Sequence, residues 1–194
     1  MENEDYLKKQ LITYLGNKRK LLEFIGTNIL NISMKLNKEK LIILDGFSGS
    51  GIVSRYLKKY ASILITNDLE YYSYIINKCY MSNKCDLNIK KINELVNYLN
   101  SRKEVYINSK KVGLFEEMYC PKDMENILES DRCFYTKRNA KILDGIRRDI
   151  NRIPEEYKKF IFAPLLSEMS IHVNTSGVFK GFYKSKKRNR TIRG

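Results

Sequence analysis

The sequence predicts an α/β fold with parallel strands, apparent here only in part and interrupted by a mostly helical insertion. Three observations carry that prediction. The first is Leu41-Ile42-Ile43-Leu44-Asp45-Gly46-Phe47-Ser48-Gly49-Ser50-Gly51, an apolar run that stops in an acidic residue and a glycine-rich turn. An aliphatic run bounded by a turn reads as a strand buried on both faces. The second is the spacing that follows, where Ile52, Val53, Tyr56, Leu57 and Tyr60 recur as on one face of a helix. The third is Ile63-Leu64-Ile65-Thr66, a second strand ending in Asn67-Asp68. Strand, loop, helix and strand make a βαβ unit. A parallel sheet of only these strands is too small to be stable alone, so further strands are expected from an unseen remainder or from a partner.

Taken in order, 6–14 is a short lead-in that ends in a turn at Gly16-Asn17. From Lys18, the positions Leu21, Leu22, Ile25, Ile29, Ile32 and Leu36 keep three- and four-residue spacing, an amphipathic helix that would cover one face of the sheet. A helix over 69–81 follows Asp68, with Tyr72 and Tyr74 read as packing residues. After a polar break at 82–88, Ile89, Ile92, Leu95, Val96 and Leu99 mark another helix. Periodicity is lost over 101–134, where Val105-Tyr106-Ile107 reads as a short strand and Pro121 precedes a short helix. Ala140, Ile142, Leu143, Ile146, Ile150 and Ile153 mark a helix stopped by Pro154, which also opens the next one. In that next helix Tyr157, Phe160, Ile161, Leu165 and Met169 form the stripe, with Pro164 a kink. The organisation expected is an α/β cofactor-binding unit at 1–83, a mostly helical insertion at 84–170 and a basic, aromatic tail at 171–194.

The loop between strand and helix has the chemistry of a small-molecule cradle. Gly49 and Gly51 remove Cβ atoms that would keep a ligand from the backbone. Asp68, 17 residues beyond Gly51, stands at the tip of the second strand, where a carboxylate accepts from the ribose hydroxyls of a nucleoside cofactor. The Gly-Lys-Ser/Thr ending of a P-loop is missing, and Ser54 stands where the third glycine of a dinucleotide fingerprint belongs. An acidic residue at Asp45 suits a cationic cofactor better than a pyrophosphate, and S-adenosylmethionine fits that description. The bland alternative is a strand–turn–helix with no ligand.

Thr13-Tyr14-Leu15-Gly16-Asn17-Lys18-Arg19-Lys20-Leu21-Leu22, then 45–51, then Asn67-Asp68, resemble the first three signatures of the Dam-like adenine-specific DNA methyltransferases, in the family's order. The segments 133–136, 139–142, 144–147 and 174–179 are similar to the middle of a branch that includes restriction-modification methylases. The resemblance implies a Rossmann-like S-adenosylmethionine-dependent methyltransferase fold. It also implies cofactor contacts at Tyr14, Gly16, Asn17, Lys18, Asp45, Phe47, Ser48, Gly49, Gly51, Asp68 and Leu69, with 14–18 at the methionine end and Leu69 beside the purine. Family members flip the target adenine out of double-stranded DNA, and an Asp or Asn before two prolines and an aromatic residue holds its amine. No such tetrapeptide occurs here, since Pro121, Pro154 and Pro164 stand apart, so no catalytic residue is assigned. The expectation is an N-terminal portion, inactive alone, with a separate polypeptide as one source of the catalytic half. A non-catalytic cofactor- and DNA-binding module, and another nucleoside-cofactor enzyme such as a reductase or RNA methyltransferase, stay open.

Composition bounds the rest. The chain of 194 residues carries 36 basic against 22 acidic side chains, a net charge of +14 that points to a polyanionic partner. Lys180, Lys184, Lys186, Lys187, Arg188, Arg190 and Arg193 put seven cations into the last fifteen residues, and all but Arg193 are taken as DNA contacts. Phe179, Phe182 and Tyr183 interleave with them, which favours nucleic acid over an idle solvated tail. Cys79, Cys85, Cys120 and Cys133 form no Cys-x-x-Cys pair, and with a single histidine, His172, neither a zinc site nor a disulfide framework is supported. His172 is read as a packing residue. The acidic opening and the short apolar runs match neither a signal peptide nor a membrane span, so a cytoplasmic protein is expected.

Overall fold

The computed structural model describes residues 3–13, 16–175 and 181–183. The expectations for Tyr14, Lys180, Lys184, Lys186, Lys187, Arg188 and Arg190 fall outside these. The described residues are helix-rich with one small parallel sheet, as a partial α/β fold would be. They divide into two units, 1–87 with 162–167, and 88–161 with 168–194.

In the first unit, α1 (Glu4–Lys8) is capped by Asn3, whose side chain accepts from Asp5 N at 2.8 Å. A single 3₁₀ turn, Arg19–Leu21, leads into α2 (Leu22–Leu36), which ends where Asn37 turns left-handed at φ 50°. Strands β1 (Leu41–Asp45) and β2 (Ala61–Thr66) pair in parallel, with α3 (Ile52–Leu57) between them and α4 (Tyr71–Tyr80) after them. The register runs Ile42 to Ile63, Ile43 to Leu64 and Leu44 to Ile65. Ile25 and Ile29 of α2 pack on Leu41, Ile43 and Leu57. Of these, the buried Leu41, Ile43 and Leu57 each contribute roughly 1.5–3 kcal/mol.

The strands are covered on one face, not on both. Leu41 and Ile43 are buried, whereas Ile42 and Leu44 are 71% and 65% exposed, and Ile63 and Ile65 stand open beside them. An unbroken aliphatic run anticipates helices on both sides of a sheet, and among the described residues α2 and α3 pack on one side only. In α2 the inward stripe is Leu22 and Gly26, buried, with Ile25 and Ile29 half-buried, while Ile32 and Leu36, and Leu21 in the turn before it, are exposed. Gly26 belongs to the stripe because the Tyr56 and Tyr60 hydroxyls would lie 2.7 and 2.8 Å from a Cβ there. Tyr72 packs in the core with Leu11, Ile76 and Ala163, but Tyr74 is exposed and stacks on Tyr71, ring centroids 5.8 Å apart.

In the second unit α5 (Ile89–Ser101) follows the predicted stripe, and Asn88 caps it by accepting from Lys91 N at 3.0 Å. The predicted strand at 105–107 is instead the helix α6 (Lys103–Ile107), in which β-branched residues are overridden by burial of Tyr106. The short helix expected after Pro121 lies before it, as α7 (Leu114–Tyr119). Two longer helices follow, α8 (Lys137–Ile150) and α9 (Glu155–Ile171). Helix α9 continues through Pro164; its 162–167 segment belongs to the first unit and its ends to the second.

The buried face of α8 includes carboxylates that periodicity did not reveal, Asp144 and Asp149 beside Ala140, Gly145 and Ile150. Asp144 accepts from Phe115 N at 3.0 Å and Glu116 N at 2.9 Å, closing the first turn of α7 from another helix. Asp149 accepts from Arg102 Nε at 2.6 Å and Tyr106 Oη at 2.7 Å, and Arg152 lies 3.3 Å away. Gly113 and Gly145 leave room for these contacts, since a Cβ at either would lie 2.2 Å from Asp144 and from the Tyr106 ring, respectively. Cys120, Phe134, Tyr135 and Ala140 form the unit's aromatic core, and burial pushes the Cys120 thiol up to about 11.

Candidate cofactor site

The site is built where the sheet ends. The β1–β2 ladder continues past Asp45, as Asn67 N donates to Asp45 O at 2.9 Å, and the chain from each strand then turns towards the other. Ser48 N and Ser48 Oγ both donate to Asn67 O, at 2.9 and 3.0 Å, and Asn67 Nδ2 returns a bond to Gly46 O at 3.1 Å. These bonds lace the glycine loop of the first strand to the acidic tip of the second.

Asp68 closes the lacing. Its Oδ2 accepts from Gly49 N at 2.7 Å and its Oδ1 from Glu70 N at 3.0 Å, so each oxygen is fixed by a backbone donor and keeps further lone-pair capacity. Asp45 is turned the other way. Its Oδ2 accepts from Ser54 Oγ at 2.5 Å, in the first turns of α3, which ties the strand tip to the helix behind the loop. The structure thus brings Asp45, Ser48, Gly49, Gly51 and Asp68 together. Phe47 and Leu69 project beside them, 94% and 97% exposed.

Gly49 and Gly51 adopt φ of +50° and +70°, a region that side chains disfavour. Gly51 has a second reason to be glycine, and it faces inward. A Cβ there would lie 2.7 Å from Asn77 Oδ1, so the missing side chain admits a buried carboxamide from α4. A Cβ on Gly46, by contrast, would meet nothing within 4 Å.

The 16–18 turn is held by local bonds. Gly16 is left-handed at φ +79°, and Asn17 Oδ1 accepts from Arg19 N, two residues on, at 2.9 Å at the start of the 3₁₀ turn. Asn17 Nδ2, however, is buried without a partner among the described residues, an orphaned donor suited to a carboxylate. Lys18 Nζ lies 3.8 Å from the position of a Gly16 Cβ.

Sequence reasoning missed the side chains that support the site. Ser54, Ser73 and Asn77 are buried under the loop, and Arg55, within α3, is 1% exposed. The Arg55 guanidinium donates to the carbonyls of Tyr6 and Lys9 and lies over the rings of Tyr6 and Tyr80, at 5.8 and 5.9 Å. Burial lowers its basicity, and the two tyrosines work against that shift. A signal for Ser73 and Asn77 did exist, a polar pair one helical turn apart on the side of α4 that holds Ile76. Arg55 left none.

The tail reads differently in structure where it is described. Phe182 does not stand free among the cations: its ring packs edge-on to Phe134, centroids 4.9 Å apart, in the second unit's core. Asn174 Nδ2 donates to Cys133 O at 2.8 Å and Tyr183 O at 2.9 Å, which holds that segment down. His172, read as a packing residue, is an exposed partner of Glu168 at 3.2 Å. Among the described residues no group of three or more His, Cys, Asp or Glu side chains could hold a metal ion, and no helix is long and apolar enough to cross a membrane.

The strand, glycine loop, helix and second strand, with the loop bonded to an acidic strand tip, define an α/β unit of parallel βαβ type. Residues 14–193 match the family described as D12 class N6 adenine-specific DNA methyltransferase, and the chain belongs to that family. It is 31% identical over 184 residues to the type II methyltransferase M.NlaIII of Neisseria lactamica, covering 92% of this chain and 51% of that one. It is 30% identical over 185 residues to the type II methyltransferase M.CviAII of Paramecium bursaria Chlorella virus 1, covering 91% and 51%. With the type II methyltransferase M.FokI of Planomicrobium okeanokoites it shares 26% identity over 176 residues, covering 84% and 27%. The chain thus spans about half the length, or less, of these curated relatives. No solved structure matches it.

Proposed function

We propose that this chain is the cofactor-binding part of a site-specific DNA adenine-N6 methyltransferase of restriction-modification type, with a Rossmann-like fold that uses S-adenosylmethionine. The observation that carries the reading is the 2.7 Å bond from Gly49 N to Asp68, which presents a fixed carboxylate beside a glycine loop. S-adenosylmethionine supplies a methyl group on a cationic sulfur. Asp68 would accept from the ribose hydroxyls through its remaining lone pairs, and Phe47 and Leu69 would flank the adenine. The orphaned Asn17 amide and the Lys18 ammonium would hold the methionine carboxylate. Asp45, bonded to Ser54, would act as a fixed negative charge near the cationic centre.

Double-stranded DNA is the proposed substrate. The 84–170 insertion would help hold it, and the cations Lys180, Lys184, Lys186, Lys187, Arg188 and Arg190 would meet phosphates in a cytoplasmic setting. The residues that hold the adenine amine would come from a polypeptide bearing the proline-doublet motif, because no such tetrapeptide stands in these 194 residues. That same observation favours a second reading, a cofactor- and DNA-binding module without catalysis. Methylation assays on adenine-containing DNA, with this chain alone and with the complementary polypeptide, separate the two. We expect no transfer by the chain alone; transfer by it alone would refute the division of labour. Calorimetry with S-adenosylhomocysteine and with NAD, on wild type and Asp68→Ala, tests the cofactor. Tight NAD binding would overturn the assignment.

A further inference from the structure

The hydrogen bonds beneath the glycine loop run in one direction. Asn77, buried in α4, has two N–H protons on Nδ2 for three acceptors, Ser73 O at 2.9 Å, Ser73 Oγ at 3.2 Å and Ser48 Oγ at 3.1 Å, so the two oxygens of Ser73 share one of them. A carbonyl can only accept, so the Ser73 main chain requires the carboxamide nitrogen to face this cluster. Each hydroxyl has one proton to give, and with Asn77 donating to both, those protons point onward. Ser48 Oγ donates to Asn67 O at 3.0 Å, and Ser73 Oγ donates to Gly49 O at 2.6 Å. One buried amide therefore aims a hydroxyl at each of the two loops that the Gly49–Asp68 bond joins. Asn77 Oδ1 has no partner among the described residues and occupies the space left by the missing Gly51 side chain.

We propose that Asn77 and Ser73 are positioning residues for the cofactor site: Asn77 sets the direction of both hydroxyls, these hold Gly49 and Asn67, and so the Asp68 carboxylate is held ready for the ribose. The proposal rests on the cofactor reading above and adds to it residues that touch no ligand. Simple packing makes a different prediction. If Asn77 only filled space, an isosteric acceptor would serve as well. Asn77→Asp has that shape but turns the relay round, because a carboxylate draws both hydroxyl protons to itself and away from Gly49 O and Asn67 O.

The test uses the full chain and two readouts. In the ligand-free protein, amide exchange at Gly49 should rise about tenfold in Asn77→Asp and in the milder Ser73→Ala, the loss expected for one hydrogen bond, with Ile43 in β1 unchanged. In calorimetry, S-adenosylhomocysteine should bind about tenfold more weakly to Ser73→Ala, with no further loss when that change is added to Asp68→Asn. Unchanged exchange at Gly49, or an additive double variant, overturns the proposal. A Gly49 response in the variants, together with a wild-type chain that binds no S-adenosylhomocysteine, overturns the cofactor reading and leaves the loop-holding relay in place.

Discussion

Gly51→Ala should destabilise the first unit by about 2–3 kcal/mol, whereas Gly46→Ala, five residues earlier in the same loop, should cost almost nothing. The difference follows from two features of position 51. Its φ of +70° is left-handed, which costs a residue with a Cβ about 1–2 kcal/mol. The new Cβ would also stand 2.7 Å from Asn77 Oδ1, so the carboxamide must shift and surrender a buried hydrogen bond worth about 1 kcal/mol. At Gly46 the φ is ordinary and a Cβ would meet nothing within 4 Å, so the substitution tests the loop without either penalty. Denaturant unfolding of the full chain, followed by circular dichroism and tyrosine fluorescence, measures both variants against wild type. A Gly51→Ala curve within about 0.5 kcal/mol of Gly46→Ala, the scatter of an ordinary surface change, would refute this account of the loop.

The remaining predictions concern the sheet, the α8 network and the tail. Ile43→Ala should cost about 2–4 kcal/mol and Ile42→Ala under 1, because only Ile43 lies beneath α2; equal losses in thermal melts would mean that both faces are covered. Asp149 is pushed up by burial, but the bonds from Tyr106 and Arg102 outweigh that and leave its carboxyl below the ordinary 3.8. A lowered native pKa stabilises the fold fully above the unfolded value and is lost as pH falls through the native one. The stability gap between wild type and Asp149→Asn should therefore be open at neutral pH and close only below about pH 4; a gap independent of pH would show that the charge is irrelevant. If Lys180, Lys184, Lys186, Lys187, Arg188 and Arg190 meet duplex phosphates, neutralising them should flatten the log–log salt dependence of DNA binding by roughly 5, and an unchanged slope would remove the tail from the interface.

Local patterns made much of this molecule legible. The aliphatic run into Asp45, the glycines at 49 and 51 and the second tip at Asp68 read as a βαβ unit because strand, turn and helix signals act over a few residues. The long helices α2, α4, α5, α8 and α9 were readable for the same reason. Short elements were not: the Val105-Tyr106-Ile107 run reads as a strand by composition and is a helix because Tyr106 is drawn into a buried bond with Asp149. Nor could the number of covered sheet faces be read, since Ile42 and Ile43 are chemically alike and only their neighbours differ.

What the sequence by itself determined is the family, the order of its motifs and the acidic and glycine residues that gather at the strand tips. Tertiary structure alone decided how that site is braced. Ser73 and Asn77 reach the loop across 24 and 29 residues of chain, Arg55 seeks carbonyls 49 and 46 residues away, and Asp144 caps a helix by accepting from Phe115 N, 29 residues earlier. Polar side chains of this kind read as solvated surface in a linear pattern. Their role exists only once folding has removed water and left the nearest backbone group as their partner.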